Sequence, residues 1–238
     1  VEESAQVGLG PSPSGKSTVT DSAAPPPNSD APVLVTGAAG FIGSHLTERL
    51  ISLGRRVIAF DNFCDFYSPD IKRRNIAGPL ESGRCTLVEG DLRDRDAVFA
   101  AVAEHRPADV IHLAAMAGVR PSIEQPAYYM AVNIDGTTHL LDAAVEHGVK
   151  RFAFGSSSSV YGNNEKTPFA EDDPVDHPIS PYAATKKAGE LICHTYSHLH
   201  RLPIVCLRFF TVFGPRQRPD LAIGKFMRLL ADDQPISV

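Results

Sequence analysis

The stretch "PVLVTGAAGFIG" (residues 32–43) decides the fold class of this chain. Its first half is an apolar run typical of a buried strand, and its second half carries three glycines before a segment with apolar residues at helical spacing. We expect Gly37 to allow a tight turn, Gly40 to let the backbone approach a pyrophosphate, and Gly43 to let the helix pack closely on the strand. The pattern therefore predicts a dinucleotide-binding turn.

A second stretch, "GPSPSGKS" (10–17), also matches a phosphate-binding pattern, that of the phosphate loop. Such a loop holds phosphate with consecutive backbone N–H groups, and Pro11 and Pro13 remove two of them. Neither a strand nor a helix is predicted beside it. We interpret the match as chance identity within a Pro- and Ser-rich tail over residues 1–30, which we expect to be disordered.

The rest of the chain alternates apolar strand-like runs with amphipathic segments. Strands are predicted at residues 32–37, 56–61, 85–91, 109–115, 151–157 and 203–210, and helices at 41–54, 96–105, 127–147 and 181–200. This alternation predicts an α/β fold with a doubly wound parallel (Rossmann) sheet, covered on both faces. We assign residues 31–210 to an NAD-binding domain with the catalytic residues, and 211–238 to the start of a small C-terminal substrate lobe.

The second predicted strand ends in Asp61, 18 residues after Gly43. A carboxylate at that place can accept hydrogen bonds from the 2′-hydroxyl of an adenosine ribose and repels a 2′-phosphate. The sequence therefore favours NAD over NADP as the cofactor.

Tyr182 and Lys186, in "SPYAATKKAGE" (180–190), lie four apart on a predicted helix and so share one face. An ammonium beside a phenol favours the phenolate and lowers its pKa, which would make the pair a base near neutrality. The hydroxyl run "SSSSVYG" (156–162) comes where the fifth strand ends, the edge at which such folds bind ligands. A serine there can share a hydrogen bond between a substrate hydroxyl and Tyr182.

Composition excludes several other classes of function. The net charge of −5 disfavours a nucleic-acid partner, which requires a basic face. The sequence has no apolar stretch of the ~20 residues needed to cross a bilayer, no signal-peptide pattern and no CxxC pair, so we expect a cytoplasmic protein without a membrane partner. His194 and His198 lie next to Cys193 without a third ligand in sight, and we predict an exposed helix face there and no metal.

Five motifs, taken in order, resemble those of the extended short-chain dehydrogenase/reductase family, specifically its nucleotide-sugar epimerases. They are "TGAAGFIG" (36–43), "DLRD" (91–94), "HLAA" (112–115), "SSSSVYG" and "YAATK" (182–186). Tyr182 lies 21 residues after Tyr161, as in UDP-hexose 4-epimerases. The resemblance covers residues 32–238.

The resemblance implies that Ser157 is the catalytic serine, Tyr182 the acid/base and Lys186 its partner. It matches Asp91 and Leu92 to adenine contacts. The NAD site that we expect comprises Gly37, Gly40, Phe41, Ile42, Gly43, Asp61, Asn62, Asp91, Leu92, Leu113, Ala114, Ala115, Tyr182, Lys186 and Phe209. Met116 stands where this group often has Gln, which would change the contacts with the nicotinamide.

The segment "LRFFTVFGPRQRPDLA" (207–222) resembles that of UDP-glucuronate 4-epimerases, as does "AGVRPSIE" (117–124). In that group the equivalents of Thr211 and Arg218 hold the C6 carboxylate, and guanidinium offers carboxylate a two-pronged hydrogen bond. The resemblance also implies substrate contacts for Ser158 and Ser159. Arg120 and Arg216 are left open between diphosphate, carboxylate and solvent, although we include Arg120 among the substrate-binding residues.

The implied activity is NAD-dependent isomerisation of UDP-glucuronate to UDP-galacturonate by inversion at C4 through a 4-keto intermediate. A UDP-glucose/galactose 4-epimerase, a UDP-glucuronate decarboxylase and a non-catalytic NAD-binding module remain alternatives. Dehydratases of this fold carry Thr-Asp-Glu where this chain has Ser157 to Ser159, so the acid and base of an elimination are lacking. The resemblance further implies a homodimer. Because members of this family usually continue further, we expect the substrate lobe to be incomplete.

Overall fold

The computed structural model describes residues 31–236. The tail predicted over residues 1–30, with its phosphate-loop pattern, lies outside the described residues. Within them, no helix combines the length and the apolar character that a membrane crossing would require.

Six strands form a single parallel sheet, as predicted. They are β1 (Val33–Thr36), β2 (Val57–Asp61), β3 (Cys85–Glu89), β4 (Asp109–His112), β5 (Arg151–Ser157) and β6 (Ile204–Phe209). Their order across the sheet is β3-β2-β1-β4-β5-β6. The order reverses between β1 and β4, and in open parallel sheets ligands bind at such a switch point, beyond the carboxyl ends of the strands.

The helices that cover this sheet are α1 (Phe41–Ser52), α2 (Pro69–Glu81), α3 (Arg95–His105), α4 (Val119–Glu124), α5 (Pro126–Met130), α6 (Gly136–Glu146), α7 (Pro181–His200) and α8 (Ala222–Ala231). A π-helical turn (Ala131–Asp135) joins α5 to α6, and a 3₁₀ turn (Ser158–Tyr161) follows β5. The sequence does not predict α2, α4 or α8. In α2, Gly78 and Pro79 read as helix breakers, yet the helix forms because Pro69 fits its first turn and Ile76 is buried.

The two faces of the sheet explain why its central strands are apolar throughout. In β1, Leu34 packs into one core cluster, whereas Val33 and Val35 pack into another. In β2, Ile58 packs into the first of these clusters, and Val57 and Ala59 pack into the second. Successive side chains of a strand point to opposite faces, so a sheet covered by helices on both faces buries every residue.

The predicted strand at 109–115 is too long, because β4 ends at His112. His112 is buried, with Nδ1 2.7 Å from Thr36 Oγ1 and Nε2 2.9 Å from Thr137 Oγ1. The Thr137 hydroxyl donates to the Asn133 carbonyl at 2.6 Å, so it must accept from His112 Nε2–H. His112 Nδ1 then accepts from Thr36, whose oxygen in turn accepts from the backbone N–H of Ala114 at 3.2 Å.

This chain of hydrogen bonds requires a neutral imidazole, since each ring nitrogen has a fixed role. Burial lowers the pKa of His112 to about 3, and the charge of Lys186 acts in the same direction. The imidazole is therefore neutral at physiological pH and fastens the end of β4 to β1 and α6.

We predict that His112 makes the protein less stable in mild acid. The pKa of His112 is lower in the folded than in the unfolded chain. Its contribution to the free energy of unfolding is therefore fully present above the unfolded pKa of about 6.5 and is lost as the pH falls towards about 3. At pH 5 the loss should be roughly 2 kcal/mol of unfolding free energy. Urea unfolding at pH 7.5 and 5.0 measures it. His112→Gln should lose less stability between these pH values than the wild type, while His198→Gln, at an exposed position, should match the wild type. Equal losses in all three proteins would refute this assignment.

Candidate active site

The carboxyl ends of the strands open onto a cavity of about 480 Å³. Its wall is built by the β1–α1 turn, the ends of β2, β4 and β5, the first turns of α7 and the segment after β6. Nearly all of the residues predicted for the site meet in this wall: Gly37, Gly40, Phe41, Ile42, Gly43, Asp61, Asn62, Asp91, Leu92, Leu113, Ala114, Ala115, Ser157, Ser158, Tyr182, Lys186, Phe209, Thr211 and Arg218.

The glycine turn has the close packing that the sequence predicts. Gly37 has a φ of +69°, and a Cβ on it would lie 2.8 Å from the backbone nitrogen of Ala114. A Cβ on Gly43 would lie 2.0 Å from the carbonyl oxygen of Gly37. No described side chain caps the first turn of α1, whose N-cap is Gly40. The first residues of this helix line the cavity, and an uncapped helix start suits phosphate.

Asp61 lies at the cavity end formed by β2 and is buried. One carboxylate oxygen accepts from the N–H of Ala39 at 3.0 Å and the other from the N–H of Phe63 at 2.9 Å. Burial raises the pKa of this carboxyl, while the hydrogen bond from Phe63 and the charge of Lys72 act against the rise. The two backbone bonds fix the orientation in which the carboxylate meets a ligand.

Asn62 and Asp91 are joined at the same end of the cavity. Asn62 Nδ2 donates to Asp91 at 3.0 Å, and Arg93 binds both oxygens of this carboxylate, at 3.0 and 2.8 Å. The hydrogen bonds from Arg93 are the main reason that the pKa of Asp91 is lowered to about 2. Asp91 is therefore ionised at any physiological pH.

Tyr182 lies in the first turn of α7, whose start is fixed by Ser180. The Ser180 hydroxyl accepts from the N–H of Ala183 at 3.1 Å, and Pro181 occupies the first helical position. Burial raises the pKa of the Tyr182 phenol, and a hydrogen bond from Ser157 and the charge of Arg218 oppose this rise. Ser157 and Tyr182 line the same cavity.

Lys186 lines the cavity one helical turn after Tyr182. Its ammonium is buried, donates to the carbonyl of Gly155 at 2.7 Å and lies 5.1 Å from the centre of the Phe154 ring. Burial lowers the pKa of Lys186 to about 8. The pKa of Tyr182 is raised by burial, and the ammonium of Lys186 is directed at β5, so a lowered pKa of the phenol stays a prediction for the protein with NAD⁺ bound.

Two predicted substrate residues do not reach the cavity wall. Ser159 donates from its backbone N–H and its hydroxyl to Ser157 Oγ, at 3.1 and 2.9 Å. Ser159 therefore contacts Ser157, which does line the cavity. Arg120 is exposed on α4 and lies outside the wall.

The segment after β6 brings Arg218 into the wall. One of its terminal nitrogens donates to the Ala117 carbonyl at 3.1 Å and the other to the Asp220 carboxylate at 3.1 Å, and its guanidinium lies 4.9 Å from the centre of the Phe66 ring. Its Nε is buried without a hydrogen-bond partner among the described residues. Arg218 thus keeps an unused donor beside the cavity.

Arg216, which the sequence leaves open between diphosphate, carboxylate and solvent, pairs with a side chain of the protein in this structure. It binds Glu48 of α1 at 2.7 Å and the Ser44 hydroxyl at 3.3 Å. This ion pair and the contact between His45 and the Pro215 carbonyl at 3.0 Å hold the segment against α1.

The sequence analysis misses Asn133, which organises the middle of the site. Its side-chain oxygen accepts from the N–H of Met116 at 2.8 Å, and its amide nitrogen donates to the Met116 carbonyl and the Thr185 hydroxyl, both at 3.0 Å. It ties the loop after β4 to α7 from within the π-helical turn. The available signal is a polar residue inside the apolar run "YYMAVNI" (128–134).

Three further wall residues that the sequence does not predict follow β2, namely Phe66, Tyr67 and Lys72. As for metals, the described residues contain no cluster of three or more His, Cys, Asp or Glu side chains that could hold an ion. His194 and His198 are exposed, as predicted, whereas Cys193 is buried.

Comparison with known proteins gives consistent matches. The NAD dependent epimerase/dehydratase family matches residues 33–238. A probable UDP-glucuronate 4-epimerase of Rhizobium meliloti is 43% identical over 86% of this chain and 60% of its own length. UDP-glucuronate 4-epimerase 1 of Arabidopsis thaliana is 46% identical over 87% of this chain and 48% of its own length. This chain therefore spans about half to three fifths of these relatives.

A solved structure shares the fold. The crystal structure of UDP-glucuronic acid 4-epimerase from Bacillus cereus, in complex with UDP-glucuronic acid and NAD, superimposes with a TM-score of 0.78 at 38% identity. The superposition covers 87% of this chain and 65% of that one.

We predict that Gly43→Ala destabilises the chain by about 2 kcal/mol or more and weakens NADH binding, because the added methyl collides with the Gly37 carbonyl. Gly78→Ala is the matched control. Gly78 lies in α2 with open space around it, so the same change should stabilise the chain by up to about 1 kcal/mol. Urea unfolding and NADH fluorescence titration measure both variants. Unchanged NADH affinity in Gly43→Ala would contradict the role of this turn.

Proposed function

The chain belongs to the NAD dependent epimerase/dehydratase family, and we propose that it acts in the NAD-dependent conversion of UDP-glucuronate to UDP-galacturonate by inversion at C4. The observation that carries the proposal is a single cavity that joins the glycine turn to Ser157, Tyr182 and Arg218. One cavity wall thus has groups that match the dinucleotide, the reacting hydroxyl of the sugar and the carboxylate of the sugar.

NAD fits the residues present. The uncapped start of α1 suits its pyrophosphate, and the fixed carboxylate of Asp61 suits the hydroxyls of its adenosine ribose. When bound, NAD⁺ supplies the acceptor for the hydride of C4 and a positive charge that favours the phenolate form of Tyr182.

In the proposed reaction, Tyr182 removes the proton of the sugar 4-hydroxyl, and Ser157 holds the oxygen in place by a hydrogen bond. The 4-keto sugar then presents its opposite face. Tyr182 returns the proton to the oxygen as the hydride returns to the opposite face of C4, and the configuration at C4 is thereby inverted. The ammonium of Lys186 donates to the Gly155 carbonyl and is a positive charge in the cavity wall at neutral pH.

Arg218 supports a uronate as the substrate. Its unpartnered Nε is a donor that a carboxylate can use, and its two other contacts and the Phe66 ring hold the guanidinium still. A 4-keto uronate is a β-keto acid that readily loses CO₂. A fixed carboxylate, held out of line for C–C cleavage, would suppress that loss.

Neighbouring reactions of the family have less support. In the part of the chain that the structure describes, the carboxylates in the cavity wall are Asp61 and Asp91, both at the dinucleotide end. Elimination of water from the sugar would require an acid and a base near Tyr182. The serines at 157–159 leave no carboxylate there.

A homodimer and a cytoplasmic location are part of the proposal. α7 exposes Leu191 and Leu199, by 55% and 66%, and a second copy could cover them. The cytoplasmic location stays a prediction from composition and cysteine use.

The test of the activity is incubation of the chain with UDP-glucuronate and NAD⁺, followed by NMR. We expect UDP-galacturonate to accumulate to equilibrium. Tyr182→Phe should bind NADH as the wild type does and lose turnover at least about a hundredfold, because the proton acceptor is removed. Formation of UDP-pentose alone would show a decarboxylase, and full activity of Tyr182→Phe would disprove the assigned base.

The assignment of Arg218 predicts a selective loss. Arg218→Ala should weaken UDP-glucuronate binding roughly tenfold to a hundredfold through loss of charged hydrogen bonds and should change UDP-glucose binding far less. Arg216→Ala is the matched control, because that side chain binds Glu48 outside the cavity wall. Calorimetric titration with the two sugars measures the difference. An equal loss for both sugars would show that Arg218 does not recognise the carboxylate.

A further inference from the structure

Tyr67 is a wall residue for which the reaction proposed above has no use. It lies between β2 and α2, and its side chain lines the cavity. Its hydroxyl is buried and finds no hydrogen-bond partner among the described residues. Burying a hydroxyl without a partner is unfavourable, and such groups are rare in folded proteins. The hydroxyl therefore calls for a partner that the protein itself does not provide.

The ring that carries this hydroxyl is held in place from one side by Lys72. This lysine is only 5% exposed, and its ammonium lies 4.8 Å from the centre of the Tyr67 ring. The same ammonium donates to the carbonyl and the sulfur of Cys64, at 2.7 and 3.0 Å. A cation held over an aromatic face stabilises the orientation of the ring, so the direction of the hydroxyl is set before any ligand binds.

The charges around Tyr67 indicate which part of a ligand its hydroxyl meets. Burial raises the pKa of Tyr67 to about 12, and after burial the charge of Asp61 contributes most to the rise. The hydroxyl consequently keeps its proton at neutral pH and acts as a donor. Lys72, which packs on the ring, binds Cys64 three residues after Asp61, so Tyr67 lies on the β2 side of the cavity, in the same wall as Asp61.

The Tyr67 hydroxyl as a donor and the Asp61 carboxylate as an acceptor are together complementary to a ribose hydroxyl. Each Asp61 oxygen already accepts one backbone N–H and has lone-pair capacity left for a ribose O–H. A ribose oxygen that donates its proton to Asp61 can at the same time accept one from a neighbouring group. Tyr67 supplies a buried donor for it.

We propose that the Tyr67 hydroxyl binds a ribose oxygen on the adenosine side of the dinucleotide, next to Asp61. This assignment rests on the NAD binding proposed above. It makes Tyr67 a cofactor-binding residue whose hydroxyl has no function in the unliganded protein.

The test is Tyr67→Phe, which removes one oxygen atom. NADH affinity should fall roughly five- to tenfold, as expected for one lost hydrogen bond. The thermal midpoint of the unliganded chain should stay equal or rise, because a buried hydroxyl without a partner is removed. Fluorescence titration and thermal unfolding measure the two effects. A lower midpoint in the variant would show a structural role for the hydroxyl and overturn the proposal.

Tyr196→Phe is the matched control. Its hydroxyl donates to Asp142 and lies away from the cavity wall. This variant should have the opposite signature, with a lower thermal midpoint and unchanged NADH affinity.

Two further ligands locate the contact. ADP-ribose carries the adenosine ribose without the nicotinamide, and its affinity should fall by the same factor as that of NADH, whereas UDP-glucuronate should bind both proteins equally. A loss confined to UDP-glucuronate would place the hydroxyl in the sugar-nucleotide subsite and refute the proposal. Failure of the wild type to bind NADH would contradict the proposed cofactor. Equal NADH affinity of wild type and Tyr67→Phe would contradict the Tyr67 assignment alone.

Discussion

The β1–α1 turn packs backbone against backbone, and the rest of the site is built around that contact. A side chain on Gly43 would overlap the carbonyl of Gly37, and one on Gly37 would collide with the nitrogen of Ala114. The first turn of α1 and the end of β4 therefore approach the same point. Asp61 fixes this turn from the β2 side by accepting the N–H of Ala39. Three neighbouring strands thus deliver their carboxyl ends to one place, where the cavity opens.

The sequence predicts best those features that lie within one local segment. The glycine turn is one contiguous segment. Tyr182 and Lys186 are one helical turn apart, so the helical period predicts that both line the same cavity wall. The direction of the Lys186 ammonium does not follow, because it depends on the carbonyl of Gly155, which comes from another strand. The stacking of Arg218 on Phe66 joins two loops far apart in the chain, and no local pattern encodes it.

The serine run after β5 shows why residue type alone underdetermines function. Ser156 is buried and donates to Glu190 at 2.6 Å, which joins β5 to α7. Ser157 and the third serine of the run line the cavity, and Ser159 donates to Ser157. The four residues have the same chemistry, and only the turn from strand to 3₁₀ helix gives them different partners. The run and the place of Ser157 in the cavity wall follow from the sequence, whereas the place of Ser159 outside this wall does not.

The hydrogen-bond chain through His112 has a consequence for how this fold can diverge. Each of its members has one fixed donor and one fixed acceptor, from the Ala114 N–H through Thr36, His112 and Thr137 to the Asn133 carbonyl. An apolar residue at position 112 would remove one hydrogen bond from each of two buried hydroxyls, and an apolar residue at position 36 or 137 would leave a buried ring nitrogen without a partner. Substitutions at these three positions are therefore strongly epistatic, and the trio is expected to change together or remain as it is.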